Sequence, residues 1–561
     1  MKIGCSSTQS AAQKIADVLH EIIYRHISEF PAADERTLRI DEIFKALHNM
    51  LNGSFEKYRF DKEVIEGLID ASLSEQQFHS ILHSLNEKQA IRKINGIYNT
   101  PNDVVDFIIA NVISQNSASV YSSTSKFEDI APLNKFLEQS VLDPTVGSGE
   151  FLLRAFQIKA NHLQTFTDAP TEKSYLDILS TLYGNDIDIS AIEICKVRLF
   201  FEVIKYIGFK NYTNAVKILN KNFTNHDFIN ITPVKILKCF DLIVGNPPYI
   251  EDNKSPVAPN IRYGNIYANV LQNSIDLLNE NGAIGFIIPI SYISTQRMGT
   301  IRTYIEEHTT SQKIFNFADR PSCLFAGVHQ KLSIIIAHKA EGNHKVYTSN
   351  YTYWYKNERK GLFDKLTLTE NNYTAAFYPK LSSELEIKIY SKLHTEGIDG
   401  LSSYITDGKA NIYLNMRACF WIKAFSFPFN SKEFKGYSFG RNIKWQILAL
   451  LNSSLFWLHW ILISDCWHIT QKELDGFSVP KSVLNSANLA QLAIELEREL
   501  ERTKTAINTK QTDFEYKHKL CRTLIDKIDD CLSEHYGLIS EELNYIKTFA
   551  KKYREGLGAE G

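Results

Sequence analysis

Seven short apolar runs crowd into residues 140–339: SVLDP (140–144), LYGNDID (182–188), AVKILN (215–220), FDLIVGN (240–246), AIGFIIP (283–289), KIFNFA (313–318) and LSIIIAHK (332–339). Runs without a polar alternate position need cover on both faces, and amphipathic stretches separate most of them. The pattern predicts an α/β fold, a doubly wound sheet with helices on either side. No helical stretch separates the last runs, which predicts an antiparallel edge pair. The chain has 561 residues, more than one compact domain takes; about 150 residues per domain gives roughly three or four modules. Residues 1–95 carry apolar positions at three- and four-residue intervals and predict an N-terminal helical domain. The strand-like AIRKINGIYNT at its end also suits a winged-helix module, although no basic recognition helix stands out. The sheet domain is expected over 96–345. An aromatic, Pro-punctuated mixed α+β region follows over 346–480, and a charged helical hairpin over 481–561.

Charge and cysteine usage exclude several classes. Lys+Arg 62 against Asp+Glu 64 gives a net charge of −2, so the chain is no polycation, although a local basic cleft remains possible. The 8 cysteines include no Cys-x-x-Cys pair, as expected of reduced thiols in a cytoplasmic protein. The first residues lack a cationic start followed by an apolar run, so no signal peptide is expected. The most apolar stretch, Ile447 to Ile463, is interrupted by Asn452, Ser453, Ser454 and His459. It reads as a buried helix or strand-helix pair rather than a membrane span.

Four clusters carry chemistry. Asn246-Pro247-Pro248-Tyr249 follows the strand FDLIVG, at the carboxyl end where open α/β sheets place ligands. The prolines fix the backbone and remove two N–H donors. The Asn246 amide oxygen and the Pro247 carbonyl can together grip one exocyclic amino group, and Tyr249 offers a flat face for a planar base. Second, Val141 to Gly149 reads strand, acid, glycine turn, helix. Gly147 and Gly149 let the backbone approach a ligand, the pyrophosphate signature is absent, and Asp143 can compensate a cation. Third, Asp186 ends the next strand, where a carboxylate can accept both hydroxyls of a ribose. Asp188 competes for that role or caps the helix that follows. Fourth, Asp227 can accept from an adenine amino group and Phe228 can cover the ring; a capped surface turn is the plain alternative.

Taken in order, GIYNTP, DPTVGSGEF, NDID, HDF and NPPYI resemble the adenine-N6 DNA methyltransferases of the gamma arrangement, including the type IIG-like restriction-modification methylases. The likeness covers about residues 90 to 340. It implies a Rossmann-like methyltransferase domain that uses S-adenosyl-L-methionine, with Thr100 and Pro101 closing over the cofactor. It implies Asp143 and Gly147 around the methionine portion, Asp186 on the ribose, and Ile187, Asp227 and Phe228 around the cofactor adenine. Asn246, Pro247, Pro248 and Tyr249 match the catalytic motif in full. The Thr-Val pair before Gly147 departs from common usage and leaves Thr145 open as a contact. The implied reaction is methyl transfer to a flipped adenine in double-stranded DNA, needing no metal. Region 346–480 is then assigned to target recognition by elimination, and Arg262 and Tyr263 are offered as DNA contacts. A restriction endonuclease is expected as a separate protein, if one exists, alongside other defence-system subunits; no membrane partner is expected. Two alternatives stay open: the same chemistry on RNA or a protein amide, and a non-catalytic DNA-binding or assembly subunit of a defence complex.

Overall fold

The computed structural model describes residues 45–51, 100–114, 133–208, 211–230, 238–325, 327–373, 377–507 and 513–556. The expectations for residues 1–95, the winged-helix alternative included, fall almost wholly outside them. One segment is described there, a helical stretch over 45–51 that docks on the sheet domain. Its last carbonyls are held by side chains: Asn220 Nδ2 donates to Asn49 (3.0 Å) and Lys196 Nζ to Met50 (2.9 Å).

The core is a nine-stranded mixed sheet: β1 (Val141–Asp143), β2 (Leu182–Asn185), β3 (Phe223–Thr224), β4 (Phe240–Gly245), β5 (Leu278–Pro289), β6 (Ser311–Phe317), β7 (Leu332–His338), β8 (Lys345–Thr352) and β9 (Thr369–Glu370). Its spatial order is β3-β2-β1-β4-β5-β7-β6-β8-β9. Strands β1 to β5 pair in parallel. All seven residues of β6 are buried, as are six of seven in β7, which is the double coverage that the apolar runs require. Helix α1 (Asn102–Ile113) supplies part of that cover, with Phe107 edge-on to Phe315 at 4.9 Å. Other helices around the sheet include α2 (Glu150–Phe166), α3 (Ile189–Ile207), α4 (Tyr212–Asn222) and α5 (Tyr267–Asp276). The expected doubly wound architecture is present.

Two local expectations need correction. AVKILN is not a strand; it lies within α4, which buries Ala215, Val216, Leu219 and Asn222, a helical spacing. The strand at this position is the two-residue β3 after it. The last two runs do pair antiparallel, but not at an edge. β7 is inserted between β5 and β6 and runs against both. The sheet also continues past residue 345 through β8, parallel to β6, and β9. Because Phe317 and Pro289 both pair with Leu332, the connection from β6 to β7 emerges at the carboxyl end of β5. An ion pair closes its base, Lys331 Nζ to Asp319 Oδ1 at 3.0 Å, and the same ammonium lies 4.0 Å from the ring of Trp467.

Beyond the sheet, a three-stranded antiparallel sheet adjoins the apolar stretch read above. That stretch forms two helices, α6 (Lys444–Leu451) and α7 (Ser454–Ile463), bent by 59°. All of α7 is buried. No single helix among the described residues is long and apolar enough to cross a membrane. The charged tail forms α8 (Ala487–Thr503) and α9 (Arg522–His535), joined through a two-stranded ribbon and followed by two short helices.

Candidate active site at the switch point of the sheet

From β1 the chain winds outward through β2 to β3, then returns to β4 on the other side of β1. The crevice between β1 and β4 is therefore the topological switch point, and the two strongest motifs sit at its rim. Asp143 ends β1 and Asn246 follows β4. The strands are in such contact that a Cβ on Gly245 would lie 2.9 Å from Asp143 Oδ1, so only glycine lets the acid and the motif adjoin.

The turn after β1 is held from several sides. Val146 N–H donates to the Asn185 carbonyl (2.8 Å) and Gly147 N–H to Asp186 Oδ2 (2.9 Å). Gly149 has φ +88°, and a Cβ there would meet Cys195 Sγ at 2.4 Å, so neither its backbone nor its surroundings admit a side chain. Arg198 on α3 grips the first residue of α2, pairing with both oxygens of Glu150 (2.8 and 3.1 Å) and donating to the Ser148 carbonyl (2.6 Å).

At the end of β2, buried Asn185 ties three connections together. Its amide nitrogen donates to the carbonyls of Pro144 (3.1 Å) and His226 (3.0 Å), and its oxygen accepts from Thr224 Oγ1 (3.0 Å) and His226 N–H (3.1 Å). Asp186 follows, facing the glycine turn. Ile187 is 59% exposed, an apolar face presented to solvent beside that acid. Asp188 serves as the N-cap of α3, accepting from Ser190 N–H at 2.9 Å. The alternatives for the two acids thus separate: the cap is Asp188, and the acid on the glycine turn is Asp186. Asp227 closes its own turn, accepting from Ile229 N–H (3.0 Å) and Asn230 Nδ2 (3.0 Å), and Phe228 is buried in the core.

The electrostatics of this edge suit a cation. Burial pushes the Asp143 carboxyl well above the usual carboxylate range; the Thr145 N–H partly offsets this and the Asp186 charge adds to it. Burial also raises Asp186, with the N–H groups of Asp188 and Gly147 pulling it partly back. Thr145 Oγ1 is buried and has no hydrogen-bond partner among the described residues. A buried acid, a half-buried one and an orphaned hydroxyl beside an exposed apolar face fit a ligand carrying positive charge and a planar ring, and S-adenosylmethionine meets that description.

The motif after β4 is oriented from both sides. Asn246 Nδ2 donates to Thr100 Oγ1 (3.2 Å). Asn246 Oδ1 lies 2.5 Å from the Tyr249 hydroxyl, which also lies 2.9 Å from the Ile287 carbonyl. Among the described residues the Pro247 carbonyl accepts no hydrogen bond. Asn246, Pro248 and Tyr249 are half-buried. Thr100 is buried and Pro101 is the N-cap of α1, so the end of GIYNTP adjoins the Asn-Pro-Pro-Tyr motif across 146 residues of sequence. The loop after the motif returns to its start, with Ile266 N–H donating to the Ile250 carbonyl at 2.9 Å. Tyr263, offered above as a DNA contact, is buried with its hydroxyl on Gln272 Oε1 (2.6 Å); Arg262 is exposed. Sequence reasoning missed Asn185 and Arg198. Asn185 had a visible signal, an amide at a strand end, whereas Arg198 pairs across a distance that no local pattern encodes.

This arrangement of sheet, switch point and glycine turn is a Rossmann-like methyltransferase fold. Residues 180–323 match the family described as Eco57I restriction-modification methylase, and with that match the resemblance drawn from the motifs is borne out. Two curated relatives agree. The type II restriction enzyme and methyltransferase RM.Eco57I of Escherichia coli is 22% identical over 309 residues, covering 46% of this chain and 30% of that protein. The putative type II restriction enzyme and methyltransferase RM.MjaORFECS2P of Methanocaldococcus jannaschii is 29% identical over 206 residues, covering 30% of this chain and 17% of that protein. The chain thus aligns with less than a third of each relative's length. Among solved structures, the type IIL restriction-modification enzyme MmeI in complex with DNA shares the fold, with a TM-score of 0.53, 11% identity, and coverage of 98% of this chain and 99% of that one.

Proposed function

We propose that this chain transfers a methyl group from S-adenosylmethionine to the N6 amino group of an adenine flipped out of duplex DNA, as the modification activity of a restriction-modification system. The observation that carries the reading is the oriented Asn246 amide beside the free Pro247 carbonyl, at the switch point next to Asp143 and the glycine turn. An adenine amino group is a poor nucleophile because its lone pair is delocalised into the ring. Asn246 Oδ1 and the Pro247 carbonyl each accept one of its N–H groups, which favours tetrahedral geometry and directs the lone pair along one line. The Tyr249 hydroxyl occupies at most one lone pair of Asn246 Oδ1, leaving the other for substrate. The Tyr249 ring provides the face against which the extruded base rests. Thr100 holds the amide nitrogen, so that the oxygen rather than the nitrogen meets the substrate. Asp143, Thr145, Gly147, Asp186 and Ile187 hold the cofactor, whose sulfonium supplies the methyl group and a good leaving group when bound. Catalysis rests on positioning, for which about 7–11 kcal/mol is attainable.

The test is Asn246→Ala in the full chain, with tritium transfer measured on duplex DNA, RNA and protein in parallel. Transfer to duplex DNA falls by about 100-fold or more, while calorimetric cofactor affinity stays within about twofold. Near-normal transfer by the variant refutes the role of Asn246. Wild-type transfer to RNA or protein but not to DNA replaces the substrate.

A further inference from the structure

The loop between the catalytic motif and α5, residues 251–265, is held at its backbone rather than packed by its tip. Asn230 Nδ2 donates to the Ala258 carbonyl (3.0 Å), and Asn260 N–H donates back to Asn230 Oδ1 (2.8 Å). Asn269 Nδ2 donates to the Ile261 carbonyl (2.7 Å), and Gly264 N–H donates to Asp252 Oδ2 (2.6 Å). Buried Tyr263 pins the descending limb. Between these anchors stand Ile261, 46% exposed, and Arg262, exposed and without an ion pair among the described residues. Arg297 lies at the base of the same loop, its side chain against Gly264. Glu251 pairs with Lys254 (2.7 Å) and Asp252 is engaged by Gly264, so that among the described residues Arg262 and Arg297 form no ion pair there, although Arg297 lies close enough to Glu251 for its charge to be felt.

Single exposed apolar residues are ordinary on protein surfaces. What distinguishes Ile261 is that its backbone is fixed, nearly half of its surface is exposed, a cation follows it, and its loop closes on the residue after Tyr249. Flipping a base leaves a gap in the duplex, and proteins that unstack DNA fill such gaps with branched apolar wedges flanked by cations on phosphate. We propose that Ile261 is the wedge that enters the duplex at the site vacated by the target adenine, with Arg262 and Arg297 on the adjoining phosphates. The inference rests on the adenine-methylation reading and adds to it a residue that promotes extrusion without touching the reacting atoms.

The experiment first fixes the target sequence by single-molecule sequencing of DNA from cells expressing the chain. Single-turnover methyl transfer is then measured on two duplexes, one with the target adenine paired and one with it opposite an abasic site, where extrusion is largely prepaid. Ile261→Ser slows transfer about tenfold or more on the paired duplex and restores it to within about twofold of wild type on the abasic one. Leu520→Ser, at a more exposed apolar position elsewhere (58%), changes neither rate. Equal loss on both duplexes, or no loss on either, overturns the wedge while leaving the methylation reading intact. A wild-type chain that methylates neither duplex overturns the reading beneath it.

Discussion

The contact between Thr100 and Asn246 gives the sharpest quantitative test of the site. Family resemblance assigns Thr100 to the cofactor, whereas the geometry joins its hydroxyl to the Asn246 amide at 3.2 Å. Thr100→Val keeps the shape of a side chain that is 5% exposed and removes only the acceptor for Asn246 Nδ2. The amide keeps its second tether, because the Tyr249 hydroxyl still reaches Oδ1. The loss is therefore one neutral hydrogen bond, about 0.5–1.5 kcal/mol net. Asn246 is only half-buried, so water can reach its freed N–H group and the larger penalty for a sealed donor does not apply. If that energy holds the amide in its productive orientation, the chemical step slows by about 2- to 13-fold. Single-turnover methyl transfer under saturating cofactor and DNA reads this step alone, and calorimetry reads cofactor affinity. The expected result is a slower step with affinity within about twofold, and recovery in Thr100→Ser. An unchanged step with cofactor affinity weakened beyond about fivefold refutes the positioning argument and returns Thr100 to the cofactor.

Two further perturbations separate acids that lie close in sequence. Asp186→Ala weakens cofactor affinity by about 10- to 150-fold, the worth of hydrogen bonds to a charged group. Asp188→Ala instead leaves affinity unchanged and lowers stability by about 0.5–2 kcal/mol as an N-cap loss; calorimetry and denaturant titration distinguish them, and the reverse pattern exchanges their roles. Asp143 gives a pH dependence. Its folded-state pKa is raised, so between the ordinary value, about 3.9, and the raised one the folded state holds a proton that the unfolded state has released. Its contribution to stability therefore falls as pH rises through that window. Asp143→Asn removes the fall: scanning calorimetry finds the variant's midpoint higher than wild type at pH 7 and the difference shrinking toward pH 4, while cofactor binding weakens. A variant less stable than wild type at pH 7 contradicts this.

The candidate site was legible in the sequence where its residues are contiguous. Asn246 to Tyr249 and Asp143 to Gly149 each occupy a single strand end, and strands buried on both faces announce themselves as apolar runs. β3 escaped because only two residues pair there, while the preceding α4 carries apolar residues close enough together to imitate a strand over six positions. The insertion of β7 inside the sheet escaped for another reason: neighbour choice is decided by which faces the helices leave open, not by the strand's own residues. Contacts such as Thr100 with Asn246, or Arg198 with Glu150, are created by the fold and have no local signature. Tyr263 was misread because a polar-looking loop was taken to expose all its side chains, whereas its backbone bonds turn that ring inward.

The reversed β7 also decides what the reaction rim is built from. With a parallel strand in its place, the link out of β6 would have to cross to the far side of the molecule. Instead it turns back at the carboxyl end of β5 and hands Lys331 to two masters, the acid at the foot of its own turn and the indole of Trp467 more than a hundred positions further along. A disturbance around Trp467 has, through that one ammonium, a route of a few ångströms to the connection at that end of the sheet.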